Sequence, residues 1–219
     1  MKKLFLCLAN SKKYNERCIA GIELTRDGNG KYDIVKNADN RPKWLRPVTT
    51  AEHGQVPEKV VEKMQILDVW EIDVKRECPK NYQSENILFD PKSLRKIHHI
   101  NRKSDNFNNL IEREKPFLFG CEGKTVPHFK IAEVNHSLVL VKGEKVQIYE
   151  SKIRRFRIRV SFYYRGYHYD LPVTDVNFFD KYWEDNSFVT NAKDFFITVS
   201  LGVEFEEKYY KLAAGVICI

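Results

Sequence analysis

Residues 155–165 carry the pattern with the clearest chemical meaning in this sequence, an alternation of apolar and polar side chains. The apolar positions are Phe156, Ile158, Val160 and Phe162, and the polar positions are Arg155, Arg157, Arg159, Ser161 and Tyr163. A period of two puts each set on its own face of a β-strand. Arginine pairs with phosphates through two N–H groups, and both arginine and tyrosine stack on bases. The polar face therefore predicts contact with single-stranded nucleic acid.

Two other interpretations of these arginines stay open. They could pair with carboxylates inside the fold, and Glu204, Glu206 and Glu207 are candidates if their strand lies alongside. They could instead form an interface with another protein.

A second group of basic and polar residues lies between positions 10 and 46. Its members are Asn10, Ser11, Lys12, Lys13, Arg17, Arg41, Lys43, Trp44 and Arg46. Cations interleaved with an aromatic residue suit contact with both phosphates and bases. Alternatively, Trp44 belongs to the core, and Asn10 and Ser11 only shape a turn through bonds to the backbone. The group predicts a second nucleic-acid surface.

Signals for catalysis or for metal binding are weak. His98 and His99 are adjacent, so their side chains point different ways, and no cysteine or histidine spacing is typical of zinc. Asp175 favours a turn or cap position, and Glu71 lacks a defined carboxylate cluster. We therefore predict no catalytic residue, metal or cofactor. An enzyme acting on nucleic acid stays open as an alternative function, and its activity would depend on Asp175 or Glu71.

These residues need β-strands to position them. Apolar runs predict strands at 4–9, 18–24, 32–35, 65–74, 195–201 and 209–219, and hairpins around the turns 142–145 and 165–166. Helical spacing predicts short helices at 58–64 and 178–183, and a further helix beginning at Ser104. The basic run 92–102 is also predicted to be helical. The expected class is mainly β with a few short helices.

An internal similarity suggests two related units. A strand, a polar connection and a segment of the form basic-x-x-Ala-Gly-aliphatic occur near both ends of the chain, with the segment at 17–22 and again at 211–216. A glycine inside a strand often marks a tight bend of a barrel. We therefore expect two small barrels, the first at 1–125 with a helical insertion and the second at 126–219.

Several stretches spread along the chain resemble motifs of one bacterial family. They are Cys-Leu-Ala-Asn-Ser-Lys at 7–12, Arg-Cys-Ile-Ala-Gly at 17–21, Trp-Leu-Arg-Pro-Val at 44–48, Gln-Ser-Glu-Asn at 83–86, Tyr-Asp-Leu-Pro-Val-Thr-Asp at 169–175, Ser-Leu-Gly at 200–202 and Tyr-Lys-Leu-Ala-Ala-Gly-Val-Ile at 210–217. The family is the dual OB-containing domain, two OB-type barrels in tandem. Residues 90–130 match none of its motifs.

The resemblance implies a fold of two tandem OB-like barrels and an association with bacterial conflict and nucleic-acid-processing systems. OB folds often bind oligonucleotides on an open barrel face. The resemblance carries over no catalytic residue. The predicted function is thus non-catalytic binding of single-stranded DNA or RNA in bacterial defence or nucleic-acid processing. The alternative is an adaptor that docks a partner nuclease, helicase or ATPase.

Composition agrees with a folded protein and adds a hint about the partner. The chain has 219 residues, 42% of them apolar and 13% aromatic, and a net charge of +7 that lies almost entirely in residues 1–125. The surplus favours a polyanionic partner. The apolar run 4–9 is shorter than the ~7–15 residues of a secretory signal, and no window suits a membrane span. Five cysteines without a Cys-x-x-Cys pair favour the reducing cytoplasm and no disulfide.

Overall fold

The computed structural model describes residues 1–101, 107–112, 116–152 and 158–219. It divides into two compact units, Met1–Arg102 and Lys103–Ile219, each built on its own β-sheet. The two units thus meet after residue 102, whereas the expected boundary between the barrels lay after residue 125. The predicted class, mainly β with a few short helices, is confirmed.

The first unit is a closed five-stranded barrel with two added strands. Its strands are β1 (Lys2–Lys13), β2 (Glu16–Arg26), β3 (Tyr32–Ile34), β4 (Trp44–Val48), β5 (Asp68–Glu77), β6 (Asn86–Phe89) and β7 (Arg95–His99). Hydrogen bonds close the ring in the order β1-β2-β4-β6-β5 and back to β1. Only the β4–β6 pair in this ring is parallel. Numbered along the ring strands alone, this is the order 1-2-3-5-4, the Greek-key barrel of the OB fold.

Close packing of β1 against β2 explains why Gly21 lies in the middle of a strand. A Cβ atom at Gly21 would lie 1.8 Å from the carbonyl oxygen of Leu6 and 2.9 Å from the ring of Phe5. Phe5 is fully buried, as are Leu8 and Ile22. The glycine therefore gives an aromatic core residue and a neighbouring strand the space that any side chain would occupy.

The second unit repeats this strand order in a curled sheet. Its strands are β8 (Thr125–Pro127), β9 (Leu138–Glu150), β10 (Ile158–Tyr164), β11 (Tyr167–Pro172), β12 (Phe195–Phe205) and β13 (Lys208–Cys218). They pair in the order β11-β10-β9-β12-β13-β8. The chain after β11 reaches β13 through a parallel bridge between Val173 and Ala213. Strands β9 to β13 thus also follow the order 1-2-3-5-4, with the parallel contact at the same place.

One predicted hairpin is wrong, since residues 138–150 form the single strand β9 rather than two strands. Its first half pairs with β12 up to Gly143, and its second half pairs with β10 from Glu144 onward. A Cβ atom at Gly143 would lie 2.8 Å from Cγ2 of Val146, and Lys145 has a φ of 50°. The Lys-Gly-Glu-Lys segment therefore bends one strand so that it serves both halves of the sheet.

Helices are short and lie outside the sheets. Within the described ranges, the α-helices are α1 (Glu58–Val61), α2 (Val176–Glu184) and α3 (Ser187–Thr190), and 3-10 helices occur at Pro91–Ser93, Leu118–Gly120 and His128–Glu133. The predicted helices at 58–64 and 178–183 are confirmed by α1 and α2. The helix predicted for 92–102 is wrong at Arg95–His99, which is strand β7 because β5 offers it a free edge. The helix predicted from Ser104 lies largely outside the described residues. No helix among those described could cross a membrane.

The two similar segments near the chain ends occupy different places in the two units. Residues 17–22 lie in β2, the second strand of the first ring, whereas residues 211–216 lie in β13, the fifth strand of the second ring. The structural counterpart of β1 and β2 is the pair β9 and β10. The repeated motif therefore marks two antiparallel pairs with a glycine, not equivalent parts of a duplicated barrel.

Candidate nucleic-acid interface

Strand β10 has the predicted alternation within the described part of the chain. Ile158, Val160 and Phe162 are 0% exposed, while Arg159 is half-buried and Tyr163 is exposed. The predicted contacts at Arg155 and Arg157 lie outside the described residues. The apolar side chains of β10 fill the core of the second unit, so its polar side chains lie on the outer face.

Neighbouring strands complete this outer face, which we call the strand face. It includes Lys145, Tyr149, Arg159, Ser161, Tyr163, His168 and Asp170, on β9, β10 and β11, together with Glu144 and Gln147, which lie opposite Tyr163 and Ser161. Tyr163 is opposite His168, Ser161 is opposite Asp170, and Arg159 is opposite Tyr149. The tight turn at Arg165 and Gly166, with φ of 52° and 82°, sets the first two of these pairings.

Arg159 is held by Asp170 rather than by the glutamates that the sequence offered. Its Nε donates to Oδ1 of Asp170 at 2.9 Å, and its Nη2 donates to the Asp170 carbonyl at 2.7 Å. The Tyr149 hydroxyl donates to the same Oδ1 at 2.9 Å. Burial alone would lower the pKa of Arg159, but the contacts with Asp170 outweigh it and raise the pKa. Arg159 therefore orders the face and leaves the exposed contacts to its neighbours.

Exposed aromatic rings and a lysine make up the accessible part of the strand face. Tyr149 and Tyr163 are 39% and 38% exposed. The ammonium of Lys145 lies over the Tyr163 ring, 5.5 Å from its centre, and the centres of the His168 and Tyr163 rings are 5.2 Å apart. Nε2 of His168 is also 2.8 Å from Oγ of Ser161. The result is an aromatic platform with a positive charge over one of its rings.

Lys145 and His168 were not among the predicted site residues. A signal for His168 existed, because a two-residue turn at 165–166 places position 168 opposite position 163. No comparable signal existed for Lys145, since its segment was interpreted as the tip of a hairpin.

The first unit presents a smaller surface at the turn between β1 and β2. Tyr14 and Asn15 form this turn with φ of 48° and 63°. The Tyr14 ring is 54% exposed and stacks on His53, with ring centres 4.2 Å apart and planes 25° apart. Nζ of Lys13 donates to the His53 carbonyl at 2.6 Å. The charge of Lys80 acts on Lys13 and lowers its pKa. We call Lys12, Lys13, Tyr14, His53 and Lys80 the turn surface.

Three predicted contacts of the first unit are buried and have structural roles instead. Asn10 is 1% exposed, and its Nδ2 donates to the Met64 carbonyl at 2.9 Å. Ser11 is 8% exposed, and its hydroxyl donates to the Cys18 carbonyl at 3.4 Å. Arg46 is 2% exposed and forms an ion pair with Glu85. Their burial leaves no surface for a phosphate or base, which corrects these three predictions.

Four further predicted residues lie nearer the surface. Arg17 pairs with Glu58. Arg41 pairs with Asp39 at 2.5 Å, and Lys43 lies 3.3 Å from a carboxylate oxygen of Glu23. Trp44 is half-buried at the start of β4. Arg17, Arg41 and Lys43 are paired within the fold. Of the residues predicted to contact nucleic acid in the first unit, Lys12 and Lys13 therefore belong to the turn surface.

The residues considered for catalysis have structural partners. Asp175 is 0% exposed and caps α2, accepting from the backbone N–H of Phe178 at 3.1 Å and from that of Val216 at 2.9 Å. Glu71 pairs with Lys2 and Arg95. Within the described ranges, no cluster of histidine, cysteine, aspartate and glutamate could hold a metal ion. The predicted cap role of Asp175 is confirmed.

Comparison with known proteins gives a family match over nearly the whole chain. A family model described as a dual OB-containing domain matches residues 3–216. No curated protein matches the chain. Among solved structures, the crystal structure of the tetrameric p202 HIN2 is similar, with a TM-score of 0.29 and 11% identity over 100% of this chain and 92% of that chain. A similarity at this level supports no statement about what the chain binds.

Proposed function

The chain belongs to the dual OB-containing domain family, and from that premise we propose that it binds single-stranded nucleic acid without changing it chemically. The observation that carries the proposal is the strand face of the second unit. OB folds bind oligonucleotides on the face of their second and third strands. In the second unit these strands are β10 and β11, which carry Tyr163 and His168.

Stacking would provide most of the contact on this face. Each base stacked on an aromatic side chain contributes about 1–3 kcal/mol to the binding free energy, whichever of the bases it is. Tyr149 and Tyr163 are exposed enough to receive bases, and Lys145 lies beside Tyr163 where a phosphate would follow. The faces of bases in a duplex are not accessible to a tyrosine ring, so stacking on Tyr149 and Tyr163 favours a single strand.

The first unit would add phosphate contacts through the turn surface. Lys12 is exposed there, next to Lys13 and the exposed ring of Tyr14. In an OB barrel the loop between strands 1 and 2 is one of the loops that contact oligonucleotides. The turn between β1 and β2 is that loop.

Replacing Tyr163 tests the proposal directly. We expect Tyr163→Ala to weaken binding of a fluorescent single-stranded oligonucleotide by roughly 5- to 100-fold, because one stacked base is lost. Fluorescence anisotropy with single-stranded and duplex DNA and RNA, at two salt concentrations, measures this and shows which nucleic acid is preferred.

Trp183→Ala is the matched control, because Trp183 is an aromatic residue on α2 that is 48% exposed and lies off the strand face. Its affinity should equal that of the unaltered protein. Equal losses in the two variants would contradict the assignment of the strand face, and so would an unaltered protein with no measurable affinity for any single strand.

The resemblance to the family supports placing this binding in a bacterial defence or nucleic-acid-processing system. In such a system a protein of this kind would hold a single strand while a partner acts on it. The proposal does not require any catalytic residue in this chain.

Exposed apolar residues favour a second candidate function, an adaptor for a nuclease, helicase or ATPase. Phe129 is 78% exposed, Phe205 is 57% exposed and Val203 is 47% exposed. Val203 and Phe205 lie two residues apart on β12, so together they expose apolar surface of the kind that marks contact with another protein. An adaptor would co-purify with its partner through these residues, and the isolated protein would bind no oligonucleotide in the anisotropy experiment.

A further inference from the structure

We infer that the turn surface is a phosphate site, in which Lys13 and Lys80 hold one phosphate group of the bound strand beside a base stacked on Tyr14. This inference rests on the proposed function and names the chemical group that the first unit recognises.

Lys13 is a half-buried lysine held in place by a carbonyl. Its Nζ donates to the backbone oxygen of His53 at 2.6 Å. Within the described ranges, no carboxylate forms an ion pair with Lys13. Arg17, on the opposite strand of the same hairpin, pairs with Glu58, and Arg46 pairs with Glu85. The ammonium of Lys13 is thus positioned by a carbonyl and forms no ion pair with a described carboxylate. Glu16, opposite it on β2, accepts instead from the backbone N–H of Glu58.

Other positive charges lie close to Lys13. Burial lowers the pKa of Lys13, Cys18 opposes this effect, and the charges of Arg46 and Lys80 lower the pKa further. Lys80 is exposed and, like Lys13, forms no ion pair with a described carboxylate. Like charges held together in this way repel one another, so an anion bound between them would remove the repulsion. A phosphate accepts several hydrogen bonds at once, which suits two lysines.

The backbone keeps these lysines in position. The β1–β2 turn is joined to the neighbouring loop by paired bonds between Arg17 and Val56, of 2.9 and 2.8 Å. Lys80 and Gln83 close a second turn by paired bonds of 3.1 and 2.9 Å. The site is therefore formed before the ligand arrives, which reduces the entropy lost on binding.

Tyr14 connects the phosphate site to a base. Its ring stacks on the ring of His53, and the carbonyl of His53 holds Lys13. The platform and the ammonium are thus attached to the same residue. A nucleotide whose phosphate reaches Lys13 has its base near the exposed Tyr14 ring, so a nucleoside monophosphate should bind more tightly than either of its parts.

Titration with small ligands tests the inference. The full chain, labelled with ¹⁵N, is titrated with inorganic phosphate, a nucleoside 5′-monophosphate and the corresponding nucleoside. We expect affinity in the order monophosphate, phosphate, nucleoside, with shifts centred on residues 12–14, 53 and 80. Lys13→Met and Lys80→Met should each weaken binding of phosphate and of the monophosphate by about tenfold, a change equivalent to 1.4 kcal/mol.

Two further variants separate the parts of the site. Tyr14→Ala should leave the affinity for phosphate unchanged and remove the advantage of the monophosphate. Lys31→Met is the matched control, because Lys31 is an exposed lysine beyond the other end of β2 and pairs with Asp33. It should bind all three ligands as the unaltered protein does.

Unchanged phosphate affinity in both Lys13→Met and Lys80→Met would overturn the inference, and so would tighter binding of a glutamate-rich peptide than of the monophosphate. The spectra also show whether each variant is folded. If these small-ligand results fail while Tyr163→Ala still weakens oligonucleotide binding, only the phosphate site is wrong. If the small-ligand results hold while no oligonucleotide binds, only the proposed function is wrong.

Discussion

At the scale of single residues, Lys211 is the most unusual group in the core. It is 0% exposed on β13, and its Nζ donates to the carbonyls of Cys121 at 2.5 Å and Gly123 at 2.8 Å. The ammonium also lies 5.1 Å from the centre of the Tyr169 ring. Burial lowers the pKa of Lys211 to about 8. Lys211 thus connects the segment before β8 to the sheet, although burial destabilises its charged form.

The lowered pKa predicts a particular dependence of stability on pH. Between pH 8 and about 10.5, native Lys211 has released a proton that the unfolded chain still binds, so this group makes the free energy of unfolding rise with pH. Urea unfolding of the unaltered protein and of Lys211→Met, from pH 7 to 10.5, measures the effect. The difference between them should change by about 3 kcal/mol in favour of the unaltered protein. A difference that does not vary with pH would contradict this.

Residue type alone does not show which polar residues face solvent. Asn10, Arg46 and Lys12 belong to the same predicted group, yet the first two are buried and the third is exposed. Arg46 lies between Leu45 and Pro47, where the period of two predicts a solvent-facing side chain, yet it is buried because it is paired. Its partner Glu85 is distant in sequence, so the pair becomes evident only when β4 and β6 are known to be adjacent.

At the scale of strands, two glycines determine how the sheets bend. Gly21 allows β1 and β2 to approach, and Gly143 lies where β9 passes from one partner strand to another. The alternation of apolar residues predicts most strands, because the period of two is a local property. It cannot show whether 138–150 is a hairpin or one bent strand, because the answer depends on pairing with β10 and β12, which lie further along the chain.

Gly21→Ala tests the close approach of β1 and β2. The new Cβ would overlap the Leu6 carbonyl, so the strands must separate, and we expect a loss of roughly 1–3 kcal/mol or more in the free energy of unfolding. Gly28→Ala is the control, since a Cβ there meets nothing within 4 Å. Urea unfolding of both variants gives the comparison. A Gly21→Ala variant as stable as Gly28→Ala would show that the strands are further apart than described.

At the scale of the whole molecule, net charge is a poor guide to the binding surface. The total of +7 lies almost entirely in residues 1–125, yet several of the cations there pair with carboxylates of the same unit, among them Lys3, Arg17 and Lys43. The nearly neutral second half carries the strand face. The tandem fold followed from motifs spread along the chain, whereas the accessible site depends on which charges the fold neutralises.

Photo-cross-linking of the full chain to a single-stranded oligonucleotide, with the attached residues identified by mass spectrometry, shows directly whether the strand face binds a single strand. We expect cross-links on the strand face, at Tyr149, Tyr163 or His168, which an excess of unlabelled single strand removes and an equal excess of duplex does not. Cross-links confined to other exposed aromatic residues, such as Trp183 and Phe205, would contradict it.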